Sequence, residues 1–146
     1  MKRTAKANWT GDMTTGHGDL TTESTVLNHT QFSYSSRFAQ GIGSNPEELL
    51  AAAHAGCFTM TIVYALSQKG LKASELETTA VVNVDLSKGG ITSIDLSLDA
   101  AQIDGISEEE FLELAQAGKK NCLLSRALTG VEINLSVNYR ILEAHA

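Results

Sequence analysis

Apolar and polar residues alternate in short intervals over the first third of the chain. "TAKANWTGD" (4–12) and "GDLTTESTV" (18–26) predict strands around the glycines of "GDMTTGHG", and "FSYSSRF" (32–38) predicts a third. After "AQGIGSN" the pattern becomes nearly continuous apolar sequence. Asn45 is a good N-cap, Pro46 suits the first helical position, and Glu48 completes an Asn-x-x-Glu variant of the capping box. The helix is predicted to run to about Lys69, where Gly70 supplies the stop. "LETTAVVNVDLS" (76–87) and "ITSIDLSLDAAQ" (91–102) return to a period near two, and "KGG" (88–90) joins them as a hairpin. Ser107 opens a second helix over "SEEEFLELAQAGKKN", a short helical piece follows around "CLLSRAL", and "VEINLSVNYRIL" (131–142) alternates as a closing strand. The order β-β-β-α-β-β-α-β, rich in hairpins, predicts an α+β fold with largely antiparallel sheets around a long central helix.

Length and charge narrow the class. With 146 residues, no repeat and no linker, the expectation is a single domain over 1–146. The net charge of −6 and the lack of a basic cluster argue against nucleic acid as a partner. The apolar run from Leu49 to Leu66 is long enough to raise a membrane span, but it holds His54, Gly56, Thr59 and Thr61 and no polybasic flank follows. A helix apolar on all sides also fits the centre of a folded domain or dimer, which is the reading adopted, with no membrane partner. "MKRTAKANW" leads into polar sequence and not into an apolar cleavage signal, so a cytoplasmic location is expected.

Candidate chemistry centres on two cysteines, Cys57 and Cys122. Either fits a small buried hydrophobe. Cys122 lies near Lys119, Lys120 and Arg126 in sequence, a setting that favours a thiolate. A metal site finds too few ligands: His54 and Cys57 share a helical face, but the other cysteine and histidines are scattered. A Cys–His hydrolase with His54 as base for Cys57 has no acyl-transfer signature around it. "GIGSNP" matches no phosphate-binding loop. Thiol redox chemistry needs a nucleophilic thiolate, a second thiol and a cation; the chain has two thiols, and spacing does not say which cation serves. Cys57 stands about three turns past the N-cap, too far for the helix dipole to activate it.

"NPEELLAAAHAGCFTM", the second cysteine in the C-x-x-S-x-A-L element "CLLSRAL", and the element order together resemble the OsmC/Ohr family, the osmotically inducible and organic-hydroperoxide-resistance proteins. The resemblance spans essentially the whole chain and lies nearer the OsmC branch, since the matching arginine is in "SSRF". It implies a thiol-dependent peroxidase acting on organic hydroperoxides and, in some members, hydrogen peroxide. By position, Cys57 matches the peroxidatic cysteine, Cys122 the resolving cysteine, Arg37 the arginine that stabilises the thiolate, and Glu47 the carboxylate that holds that arginine. Phe38 and Phe58, with Met60 and Ile62, are the apolar residues expected to meet a greasy substrate. No metal or other cofactor is implied; an external thiol reductant is. Leu123 departs from a proline common after the second cysteine, Gly56 from an alanine, and His54 from a frequent tyrosine.

Glu47 and Cys57 are ten residues apart on one helix, about 15 Å along its axis. A pair formed by Arg37 and Glu47 is therefore expected to serve the Cys57 of a second subunit, and the resemblance likewise implies an intertwined homodimer with shared sites. The alternatives are a non-catalytic redox sensor or small-ligand-binding member of the same fold, or the hydrolase.

Overall fold

Two three-stranded sheets and four helices make up the computed structural model, which describes residues 1–142. The chain forms two compact units, Met1–Leu49 and the remainder from Leu50, with the boundary inside the long helix. The expected domain ends at 146, and residues 143–146 lie outside the described residues.

In the first unit, β1 (Ala5–Thr10) pairs antiparallel with β2 (His17–Thr22), and β2 with β3 (Thr30–Phe32). The expected third strand at 32–38 is corrected: β3 stops at Phe32 and α1 (Tyr34–Phe38) replaces the rest. The serines are the reason. The Ser33 hydroxyl accepts from Ser36 N at 3.2 Å while the Ser36 hydroxyl accepts from Ser33 N at 2.8 Å. This reciprocal box satisfies amides that a strand would have to pair elsewhere.

The long helix α2 spans Pro46–Gln68. Asn45 Oδ1 caps it by accepting from Glu48 N at 2.8 Å. The second half of the expected capping box is not made, because the Glu48 carboxylate accepts from the Ser44 hydroxyl at 2.7 Å instead. At the other end Leu71 N donates to Leu66 O and Gly70 N to Ser67 O, with Gly70 at φ +71°. That is a Schellman stop, and its left-handed residue favours glycine. By length and composition α2 is apolar enough to cross a bilayer. Its residues His54, Phe58, Ile62 and Leu66, one turn apart, are nevertheless buried in the protein.

In the second unit β4 (Leu76–Asp85) and β5 (Gly90–Ala101) form the expected antiparallel hairpin. The strand expected to reach 87 stops at Asp85, whose carboxylate accepts from Ser87 N at 3.0 Å and caps a 3-10 turn over Leu86–Lys88. β6 (Glu132–Arg140) pairs with β5 in parallel, a departure from the antiparallel pairing of the other named strands. Between them α3 (Glu108–Asn121) and α4 (Leu123–Ala127) carry the chain back, as a parallel crossover requires. Ser107 caps α3 through Glu110 N at 3.2 Å.

The core follows from these periods. β5 turns Ile94, Leu96, Leu98 and Ala100 inward, α2 adds Phe58, Ile62 and Leu66, and α3 adds Phe111, Leu114 and Ala115. Tyr139 stacks on Phe111 at 4.7 Å between ring centres, and its hydroxyl accepts from Ile103 N. Gly118 lets α3 close onto α2, since a Cβ there would meet Ile62 Cδ1 at 2.6 Å. The opposite face of β5 is polar, with Asp95 and Asp99 accepting from Asn134 and Asn138 of β6.

Candidate active site

The two cysteines, 65 positions apart in sequence, meet. Cys57 is half-buried near the middle of α2 and Cys122 is fully buried at the junction of α3 and α4. The Cys122 thiol donates to Cys57 Sγ at 3.3 Å, and both are free thiols. Helix geometry explains the presentation. Cys57 sits one residue before Phe58, so the core stripe that holds Phe58 turns Cys57 to its margin.

Burial pushes the Cys57 thiol up from its ordinary value of 9.0, and the Cys122 thiol beside it adds to the rise. The backbone amides of Leu124 and Leu123 oppose it by donating toward the sulfur. Leu123 matters here because a proline at that position would have no N–H to give. Among the described residues no arginine or lysine is a cause of the shift. Lys119 instead donates to Ile133 O at 3.3 Å, so that part of the expected cationic setting of Cys122 is spent on β6. An open cavity of about 1310 Å³ adjoins Cys57, walled by Met60, Tyr64, Leu114, Leu123 and Arg126 among others. Phe58 and Ile62 do not line it; both are core side chains with no exposure.

His54 lies in the core and not beside the thiol as a base. Its Nε2 meets Ser125 Oγ at 2.9 Å, and its Nδ1 is buried without a partner. Burial lowers its pKa, so the ring is held neutral. Ser125 stands in the C-x-x-S element, but its separation of 71 positions from His54 gives no sign of contact in the sequence.

The first unit holds the other expected pair. Arg37, in the last turn of α1, donates to Glu47, in the first turn of α2, through Nε at 3.0 and 3.3 Å and Nη2 at 2.7 Å. The guanidinium holds the Glu47 carboxyl below its usual range. Asn45 braces the arrangement, because its Nδ2 donates to Ser36 O while its Oδ1 caps α2. Arg37 also lies 5.1 Å from the centre of the Phe38 ring, which packs against Tyr34. With Trp9, Phe32 and Pro46 these residues line a hollow of about 180 Å³.

The family profile described as "OsmC-like protein" matches residues 39–136. Peroxiredoxin OsmC of Escherichia coli (strain K12) is 35% identical over 143 residues, 97% of each chain. The chain belongs to the OsmC family. An organic hydroperoxide resistance protein-like protein of Staphylococcus aureus (strain USA300) is 32% identical over 102 residues, 68% of this chain and 73% of that one. The crystal structure of the organic hydroperoxide resistance protein OhrB of Bacillus subtilis superposes with a TM-score of 0.64 at 27% identity, covering 92% of this chain and 98% of its own. These OsmC and Ohr relatives share the mixed α+β architecture described above.

Proposed function

We propose that the protein is a cytoplasmic, thiol-dependent peroxidase that reduces organic hydroperoxides as one functional domain. The observation that carries this reading is the 3.3 Å approach of Cys57 and Cys122. The names of the relatives, a peroxiredoxin and organic hydroperoxide resistance proteins, support the substrate class. The Cys57 thiolate attacks the terminal peroxide oxygen. The O–O bond breaks, the alcohol leaves with a proton, and Cys57 becomes a sulfenic acid. Cys122 condenses with it, releasing water and forming a disulfide, and an external thiol reductant returns both to thiols.

The cation comes from a second copy of the chain. In this homodimer Arg37, held by Glu47, stabilises the Cys57 thiolate of the other subunit, and Phe38 faces the organic group. Three observations support it. No arginine or lysine among the described residues is a cause of the Cys57 shift. The buried hydrophobics all lie between Phe58 and Tyr139, so the first unit has no large apolar side chain buried. A three-stranded sheet without a buried apolar face is marginal alone. Finally, α2 leaves Met60, Val63 and Tyr64 exposed beside Ala52, Ala53 and Gly56.

The test is consumption of cumene hydroperoxide with dithiothreitol as reductant. Cys57→Ser is expected to abolish it. With dithiothreitol left out, Cys122→Ser is expected to consume one equivalent and leave a sulfenic acid that dimedone traps. Peroxide loss that persists in Cys57→Ser sinks the mechanism. A disulfide that forms on oxidation without turnover would favour the redox-sensor reading.

A further inference from the structure

Three residues before Cys57 and three after Cys122 stand the partners of a second, buried tie: His54 and Ser125, 2.9 Å apart. α2 runs from His54 to Cys57, while the chain around α4 runs from Cys122 to Ser125. The two contacts are therefore successive rungs between two segments of opposite direction. Residues three apart share a helical face, about 4.5 Å apart along the axis. The imidazole–hydroxyl rung sits one such step from the thiol–thiol rung.

Packing alone does not account for this pair. His54 has no exposure, and its Nδ1 finds no partner. A buried polar atom without a partner costs stability that an apolar side chain would not. Nε2 and the Ser125 hydroxyl share one hydrogen bond at 2.9 Å, whichever of the two supplies the proton. What the rung supplies is a fixed distance. α4 is only five residues long and has no side-chain hydrogen bond at its N-cap, so little within it fixes its position.

We infer that His54 is a positioning residue for disulfide formation: through Ser125 it holds α4 where Cys122 Sγ stays within reach of Cys57 Sγ. The inference rests on the two-thiol reading above. In the step it serves, the sulfenic acid of Cys57 loses its hydroxyl as water with the Cys122 proton, while the S–S bond forms. The sulfurs close from 3.3 Å to about 2.05 Å. A movement that small leaves the His54–Ser125 rung in place. Without the rung, α4 carries Cys122 away and the sulfenic acid outlives its partner.

The test equilibrates the full-length protein with reduced and oxidised dithiothreitol and reads the Cys57–Cys122 disulfide by alkylation and mass. No peroxide is involved. Ser125→Ala and His54→Leu are expected to lower the disulfide equilibrium constant by about tenfold, at the upper end of what one hydrogen bond contributes. His54→Gln, whose amide nitrogen reaches the place of Nε2, and Ser125→Thr are expected to stay within about twofold. In the hydroperoxide reaction the first two variants keep the initial burst and accumulate trapped sulfenic acid. An unchanged equilibrium in folded Ser125→Ala overturns the assignment, as does an equal loss in His54→Gln and His54→Leu. Should His54→Leu fail to fold, the two Ser125 variants decide. Wild-type protein that forms the disulfide in dithiothreitol yet ignores hydroperoxide overturns the peroxidase reading alone, and the equilibrium still decides the role of His54.

Discussion

Cys57 is held by opposing influences, burial and the Cys122 thiol against the Leu124 and Leu123 amides, and the net effect within the chain is upward. A thiol that binds its proton more tightly is a thiolate only at higher pH. If Arg37 of a second copy stabilises the anion, its removal must move the titration upward. Alkylation of Cys57 by iodoacetamide is expected to have its midpoint below 9.0 in the wild type and above 9.0 in Arg37→Ala, 9.0 being the ordinary value. Equal midpoints would show that Arg37 does not serve the thiol. The Arg37–Glu47 pair is partly exposed, so Arg37→Ala is expected to change stability by less than about 1 kcal/mol. The assay therefore separates a role in the site from a role in folding. The resemblance singles out Cys57, Cys122, Arg37 and Glu47 by position, and the structure pairs Cys57 with Cys122 and Arg37 with Glu47. Ser125 and the two leucine amides were not legible in the sequence, because their role depends on where α4 lies and not on their residue type.

The caps and stops of the helices were largely written in local sequence, and the exceptions came from serines. Asn45 predicted the start of α2, and Gly70 its end. The strand expected at 32–38 failed because hydroxyls at Ser33 and Ser36 offer the backbone a local alternative that an alternating pattern does not reveal. Asn45 links the two outcomes, capping α2 with its oxygen and tying Ser36 O of α1 with its nitrogen. Asn45→Ala is expected to cost about 1 kcal/mol in chemical denaturation, as lost caps do. Asn45→Asp keeps the capping oxygen and loses the donor to α1. It is expected to hold stability near wild type while lowering peroxidase activity, since α1 carries Arg37. Activity equal to wild type in Asn45→Asp would show that the tie is not needed.

Both units leave large apolar side chains exposed, but the buried core is unevenly shared along the chain. The first 49 residues leave Trp9, Met13, Val26, Tyr34, Phe38 and Ile42 exposed, whereas the second unit buries a continuous cluster. Exposed apolar side chains are what the proposed homodimer would cover. Val63→Glu, on the exposed face of α2 and outside the cavity beside Cys57, is expected to give a monomer in sedimentation velocity and to abolish turnover. A dimer that survives this change would place the interface elsewhere. Mixing inactive Arg37→Ala and Cys57→Ser chains is expected to restore part of the activity, because one mixed site keeps both Arg37 and Cys57. No recovery despite proven subunit exchange would rule out shared sites.

By itself the sequence determined the period of most segments, the starts of the two long helices, a hairpin between β4 and β5 and, through its motif, the family. These depend on near neighbours in the chain, whose spacing along a helix or strand is set by backbone geometry. Tertiary structure alone decided the parallel pairing of β5 with β6 and the His54–Ser125 rung, and it set the distance between Cys57 and Cys122, whose pairing the resemblance implies. Each joins residues at least 39 positions apart, and no local preference encodes such a meeting. Packing of α2 and α3 against β5 brings the two thiols together, a meeting that neither cysteine's own surroundings in sequence encode.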